Sequence, residues 1–243
     1  MTQKTLLLTG ASRGIGHATV KVFQADGWRV LTVSRTAFDA RCPWHAGSTD
    51  HFQGDLADPD ARAALVAQVR AALGPSGLHA IVNNAGISPK GADGARLGVA
   101  DSSDTVWTQV LGVNLLGPAA LMRDLLPELE RARGAVVNVG SIAGKRVHPY
   151  AGVAYACSKA ALEALTREAA GELGPRGVRV NMVTPGEIET EILSPGTEKM
   201  ADIIPLRRLG QPDEVARVVL FLCSQQASYV NGASVDVNGG QHV

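Results

Sequence analysis

Three cysteines, Cys42, Cys157 and Cys223, are an odd number without Cys-x-x-Cys spacing. That pattern argues against a disulfide framework or a zinc site and fits free thiols in a reducing compartment. The six histidines show no ligand spacing either. Net charge is also missing: 23 basic and 23 acidic side chains cancel, so the balance offers no general attraction for nucleic acid or an anionic membrane. No run approaches the roughly 18 apolar residues of a membrane span, and the opening MTQKTLLLTG has too short an apolar stretch for a signal peptide. A cytoplasmic protein acting on a small, locally recognised molecule is the expectation. No long polar or Pro/Ser-rich linker and no internal repeat interrupts the 243 residues, of which 45% are apolar. Residues 1–243 therefore read as one large domain.

What is present is an alternation. Apolar runs at 4–9, 28–34, 78–83, 134–140, 178–184 and 233–238, with a weaker one at 51–54, are separated by helical segments. Strands alternating with helices imply right-handed crossovers and a mostly parallel sheet covered on both faces. Asp58-Pro59 reads as a cap followed by proline at the first helical position, and Gly74-Pro75 as the stop. Further helices are expected near 14–25, 103–131, 154–173 and 212–224. Segments 87–102 and 186–210 look irregular, and loops of that length in a compact domain tend to be lids or binding loops.

The turn TGASRGIG (9–16) follows the first strand and opens the first helix. Gly10, Gly14 and Gly16 allow backbone to approach a ligand closely and leave helix N–H groups aimed at an anion, the place for a pyrophosphate. Dinucleotide folds commonly carry an acidic residue about 20 positions on, for the ribose hydroxyls. Here the second strand ends in Ser34-Arg35 instead. Arg35, helped by Arg13, could pair with a 2′-phosphate, which makes NADP(H) preferred and NAD(H) the alternative. Asp55 either touches an adenine edge or makes a local turn.

One of only three tyrosines, Tyr155, stands four residues before Lys159, so the two share a helix face. With TGASRGIG, NNAG (83–86), Asn114 in VNLLG, Ser141 in GSIAG, YACSK (155–159) and PGEIET (185–190), the chain resembles the short-chain dehydrogenase/reductase family, in its compact single-domain branch. The resemblance spans nearly the whole length. It implies an α/β doubly wound, Rossmann-type, seven-stranded sheet with helices on both faces, and a hydride transfer between NADP(H) and a carbonyl or secondary alcohol. Among substrates a 3-oxoacyl-thioester comes first and a sugar or polyol second.

The resemblance also assigns roles. Tyr155 is the general acid in reduction and the base in oxidation, Ser141 holds the substrate oxygen, and Asn114 supports a water chain that returns protons to Lys159. Gly10, Ser12, Arg13, Gly14, Ile15, Gly16, Ser34, Arg35, Asp55, Leu56, Asn83, Ala85 and Gly86 would contact the dinucleotide. So would Tyr155, Lys159, Pro185, Gly186, Ile188 and Thr190, with 186–210 closing as a lid over the substrate. A homo-oligomer, tetramer or dimer, is implied; no metal, nucleic acid or membrane is.

Physical chemistry adds three expectations. A cation about 4 Å away at an effective dielectric near 20 is worth roughly 4 kcal/mol, or about three pKa units, so Lys159 should pull the Tyr155 phenol down towards neutrality. Pro118 has no N–H for the Asn114 carbonyl, so the 103–131 helix should bend there. Cys157, beside the pair, reads as a small buried core residue. His148, Tyr150 and Glu187 edge the pocket without specifying a ligand. A protein that senses dinucleotide without turnover is the rival from another class, and it would not need Ser141, Tyr155 and Lys159 together.

Overall fold

Leu6, Leu7 and Leu8 are all fully buried, yet they serve different cores. Alternation along the strand sends Leu7 to one face of the sheet and its two neighbours to the other. This is why the strand reads as an unbroken apolar run, the pattern of a parallel sheet covered on both sides. The protein, seen in a computed structural model, is described over residues 3–36, 50–92, 94–190 and 197–243. Cys42 lies outside the described residues, as do positions 93 and 191–196 within the two irregular loops.

Seven strands form one sheet: β1 (Thr5–Thr9), β2 (Arg29–Ser34), β3 (His51–Gln53), β4 (Ala80–Asn83), β5 (Ala135–Val139), β6 (Arg179–Pro185) and β7 (Ser234–Val237). Their order is β3-β2-β1-β4-β5-β6-β7, and every pairing is parallel. Leu7 sits between Leu31 and Ile81, so β1 is flanked by β2 and β4. The chain therefore leaves β1 and β4 in opposite directions across the sheet. A cleft opens at the carboxyl ends of those two strands, where ligands of open α/β sheets bind.

Two helical layers close the faces. On one, α1 (Gly14–Ala25) and α7 (Pro212–Cys223) pack Val20, Phe23, Val215, Val219 and Leu222 against Leu6, Leu8, Val82 and Val137. On the other, α2 (Pro59–Leu73) and α6 (Val153–Leu173) are joined by the helices of the 104–132 region over Leu7, Leu31, Ile81 and Val136. Each such aliphatic side chain taken from water contributes about 1.5 to 3 kcal/mol. Asp58 does cap α2, accepting from the N–H groups of Asp60 and Ala61, with Pro59 next.

The helix expected over 103–131 is not continuous. It is α3 (Asp104–Leu111), a single π turn (Gly112–Leu116), α4 (Gly117–Asp124) and α5 (Leu126–Ala132). The Gly117 N–H reaches back five residues to the Gly112 carbonyl. The departure from α register falls where Pro118 removes a donor, and a second break falls at Leu125, before Pro127. Segment Asp104–Asp124 is apolar enough, with a mean hydropathy of 1.2, to match a membrane span by length and composition. Half of it is buried inside the domain, as a core helix would be. Cys157 corrects an expectation: it is exposed, because its neighbours Ser158 and Lys159 occupy the inward face of α6. Cys223 is the buried thiol, and burial pushes it up to about 12.

Candidate active site

The turn after β1 is built from close approaches. Gly10 has a φ of 72°, and a Cβ there would lie 2.8 Å from the Ala85 Cα. A Cβ on Gly16 would lie 2.0 Å from the Gly10 carbonyl oxygen. Asn84 locks the turn from β4, its amide donating to the carbonyls of Thr9 and Gly10 at 3.1 and 2.8 Å. Among the described residues no side chain caps α1, whose N-cap is Arg13, so its first N–H groups are placed to meet an anion. Gly16→Ala is therefore expected to destabilise the fold by about 1 to 3 kcal/mol through overpacking. The same change should weaken dinucleotide binding, and denaturant melts together with a fluorescence titration of NADPH check both.

The turn opens into a cavity of about 490 Å³ at the switch between β1 and β4. At one end stand Ser12, Arg13, Gly14, Ile15, Ser34 and Arg35. The Arg35 carbonyl accepts from Gln53 at 2.8 Å, which fixes the end of β2. Arg13 and Arg35 are both exposed at this rim. Asp55 and Leu56 also line the cavity, and Asp55 makes the local turn as well, accepting from the Ala57 N–H at 2.8 Å. Glycine surfaces, free helix N–H groups and rim cations together fit an elongated molecule carrying phosphates.

At the other end Ser141, Tyr155 and Lys159 line the same space, with Ala85, Gly86, Pro185, Gly186, Ile188 and Thr190. The Ser141 side chain, which accepts a hydrogen bond from the Ala143 N–H at 3.2 Å, stands close enough to the Tyr155 hydroxyl to lower its pKa. Lys159 is 3% exposed, its Nζ donates to the Val139 carbonyl at 2.7 Å, and it lies 5.6 Å from the Tyr155 ring centre. The electrostatics correct the expected tuning. Burial raises the Tyr155 pKa; the neighbouring Ser141 hydroxyl opposes this, and the Glu187 carboxylate adds to it. Burial likewise pushes Lys159 down to about 8. Both charged forms lose water, and in the protein alone that loss outweighs attraction at this separation. Tyr155 therefore stays protonated at neutral pH.

Three predicted site residues do not line the cavity, and neither do His148, Tyr150 and Glu187, which were expected at its edge; Glu187 lines a second, smaller pocket instead. Gly16 packs against Gly10 beneath it. Asn83 is 2% exposed and points into the sheet, donating to Asn138 at 2.8 Å, and Asn138 in turn donates to Thr166 at 2.9 Å. Asn84 is the asparagine of NNAG that faces the cavity. Strand alternation carries the signal, since two adjacent residues at a strand end cannot face the same way. Asn114 is buried behind the site: its side-chain oxygen accepts from the Ile87 N–H at 2.9 Å, and its amide donates to the Ile87 carbonyl and Ser158, each at 3.0 Å. It clamps the start of the 87–102 loop, and Ile87 and Ser88 extend the cavity wall. Sequence reasoning also missed Val33, Thr36 and Val113, which line the cavity with nonspecific side chains. The base of the predicted lid is closed by backbone bonds between Glu187, Glu189 and Gly210, at 2.8 to 2.9 Å; its positions 191–196 are outside the described residues.

The family described as enoyl-(acyl carrier protein) reductase matches residues 10–242. Protein FixR of Bradyrhizobium diazoefficiens is 54% identical, the match covering 99% of this chain and 87% of that protein. The 3-oxoacyl-[acyl-carrier-protein] reductase FabG of Thermotoga maritima is 35% identical, over 98% and 97% of the two chains. An oxidoreductase of the short-chain dehydrogenase/reductase family from Brucella ovis, solved with a partially ordered NAD, is 50% identical. Its TM-score is 0.85, over 98% of this chain and all of that one.

Proposed function

The chain belongs to the short-chain dehydrogenase/reductase family, and from that premise we propose that it is an NADP(H)-dependent reductase, moving hydride between nicotinamide and a carbonyl or secondary alcohol. The observation that carries this reading is that Ser141, Tyr155 and Lys159 line one cavity with the glycine turn. When bound, the nicotinamide supplies or accepts the hydride. Ser141 holds the carbonyl oxygen, and the Tyr155 hydroxyl gives it a proton as negative charge develops there. A phenol kept protonated by burial suits the acid role, and so supports reduction as the working direction. Lys159, as an ammonium, offsets the charge left on the tyrosine oxygen. Arg13 and Arg35 at the cavity rim support the 2′-phosphorylated cofactor, although the Brucella ovis relative was solved with NAD. Descent alone does not rank the two substrate classes, 3-oxoacyl-thioesters and sugars or polyols, because the more similar relatives carry no stated substrate.

The test is the absorbance of reduced nicotinamide with a panel of ketones, acyl thioesters and sugars. Consumption of NADPH that depends on the ketone supports the reading; binding without turnover supports the sensing alternative. A pH profile probes Lys159. Its ammonium is present below about 8 and lost above, so the reductive kcat/KM for NADPH, which reports the free enzyme, is expected to be level through neutrality. Above that pH it should fall about ten-fold per pH unit; a level profile to pH 10 contradicts the role given to Lys159. Free Cys157 and Cys223 support the proposed cytoplasmic location. Exposed small residues along α6, Cys157, Ala160 and Ala164, support a homo-oligomer, which light scattering would measure.

A further inference from the structure

The chain turns sharply after β7. Gly239 and Gly240 take left-handed φ values of 63° and 90°, and the Gln241 N–H closes the turn by donating to the Asn238 carbonyl at 3.1 Å. Asn238 braces the turn from within, its side-chain oxygen accepting from the Gly240 N–H at 3.1 Å. Asn238 and Gln241 are both buried. The turn touches both segments that form the reactive end of the cavity. Towards the PGEIET segment, the Gln241 side-chain oxygen accepts the buried Glu187 N–H at 3.0 Å. Gly186 lies so close that a Cβ there would stand 2.1 Å from that oxygen and 2.7 Å from the Asn238 Cβ. Towards the Ser141 segment, an Arg146 guanidinium nitrogen donates to the Gln241 carbonyl at 2.7 Å, and Lys145 Nζ pairs with Asp236 at 2.9 Å.

Pro185 and Gly186 line the cavity with Ser141 and Tyr155. Gln241 therefore holds the backbone behind one wall with its side chain and the loop behind the other with its carbonyl. Ser141 and Arg146 are separated by little more than the tight turn Ile142–Gly144, and the Arg146 N–H donates to the Ile142 carbonyl at 3.1 Å. A buried backbone N–H without an acceptor is costly, so the Gln241 contact fixes where the Gly186–Glu187 backbone sits. Transfer between bound groups is steep in distance: a misplacement of about 1 Å can cost about 100-fold.

We propose that Gln241 is a positioning residue for hydride transfer, one that sets the separation between the wall at Pro185 and Gly186 and the Ser141 hydroxyl. This rests on the reductase reading above, with the nicotinamide at the first and the carbonyl oxygen at the second. Gln241 does not line the cavity and acts only through the two segments it joins. Arg13, Arg35 and the glycine turn stand at the other end, so the affinity for NADPH is set largely apart from it.

The test is a single turnover of bound NADPH with the ketone of the panel that the natural protein reduces fastest. Its rate constant does not depend on what fraction of the sample is folded, whereas the stoichiometry of a fluorescence titration of NADPH does. Gln241→Met keeps the length of the side chain without a comparable acceptor, and should lower the rate constant about ten-fold. NADPH should still bind with unchanged stoichiometry and an affinity within a few-fold. Gln241→Glu retains an oxygen for the Glu187 N–H and should recover most of the rate. Arg146→Ala releases the other wall from an exposed position, leaving the core intact, and should slow the same step about three-fold. An unchanged rate constant in Gln241→Met or in Arg146→Ala, whatever the stoichiometry, overturns the proposal and leaves the reductase reading standing. Equal slowing by Gln241→Met and Gln241→Glu overturns it too, since the acceptor is then not the cause. If the natural protein reduces no carbonyl, the reductase reading and this role fall together.

Discussion

Tyr155→Phe is expected to lower ketone turnover by about 10² to 10⁴-fold, the range over which a positioned general acid contributes. The ring is retained, so packing at the start of α6 changes little; what leaves is the hydroxyl beside Ser141. The loss should appear in kcat and kcat/KM together, since the proton is transferred only as the transition state forms. Binding of NADPH, followed by its own fluorescence, should remain within a few-fold, because the glycine turn and Arg13 lie at the far end of the cavity. Retained turnover would remove Tyr155 from the chemistry and with it the proton-transfer mechanism. Full loss of NADPH binding would instead make the phenol part of the cofactor site. The raised Tyr155 pKa gives the experiment a direction. Oxidation needs the ionised phenol, which burial disfavours, so the natural protein should show its oxidative rate still climbing at a pH where reduction has levelled.

That pKa also marks the limit of what the chain alone could tell. The i, i+4 spacing of Tyr155 and Lys159 correctly predicted a shared face, and both line one cavity with Ser141. The sign of the tuning did not follow, because spacing gives proximity but not hydration. Depth decides between attraction and desolvation, and depth belongs to the assembled sheet. The strands were legible because a parallel sheet demands apolar residues on both faces, as Leu6, Leu7 and Leu8 supply. The helix at 104–132 was legible in position but not in form. Pro118 announced a break, while the π turn that absorbs it also places Asn114 against Ile87 and Ser158. Asn83 and Asn84 show the same boundary at a smaller scale: the motif pointed to the strand end, and alternation assigned one residue to the core and one to the site. Cys157 failed for a related reason, since a small apolar residue on a helix carries no phase of its own. The pairing of His148 with Glu187 joins loops 39 positions apart, a contact that no local pattern encodes.

Replacing Arg13 and Arg35 together with alanine is expected to lower the preference for NADPH over NADH by about 100-fold. Each charge-assisted contact to a phosphate is worth about 1.5 to 3 kcal/mol in net terms. Both guanidiniums are exposed at the rim, so screening places each near the low end, about ten-fold. Arg35→Ala alone should therefore shift the kcat/KM ratio about ten-fold, almost wholly through KM for NADPH, because the 2′-phosphate is remote from the reacting carbon. Activity with NADH should change little, and the natural protein's preference should narrow as salt rises. Arg35→Asp makes the sharper case: a carboxylate at the end of β2 suits ribose hydroxyls and repels a phosphate, so the preference should reverse. If the ratio is untouched by Arg35→Ala and indifferent to salt, the arginines are solvated bystanders. The cofactor would then be NAD(H), as in the Brucella ovis relative, and the Tyr155 chemistry would stand unchanged, since it depends on the opposite end of the cavity.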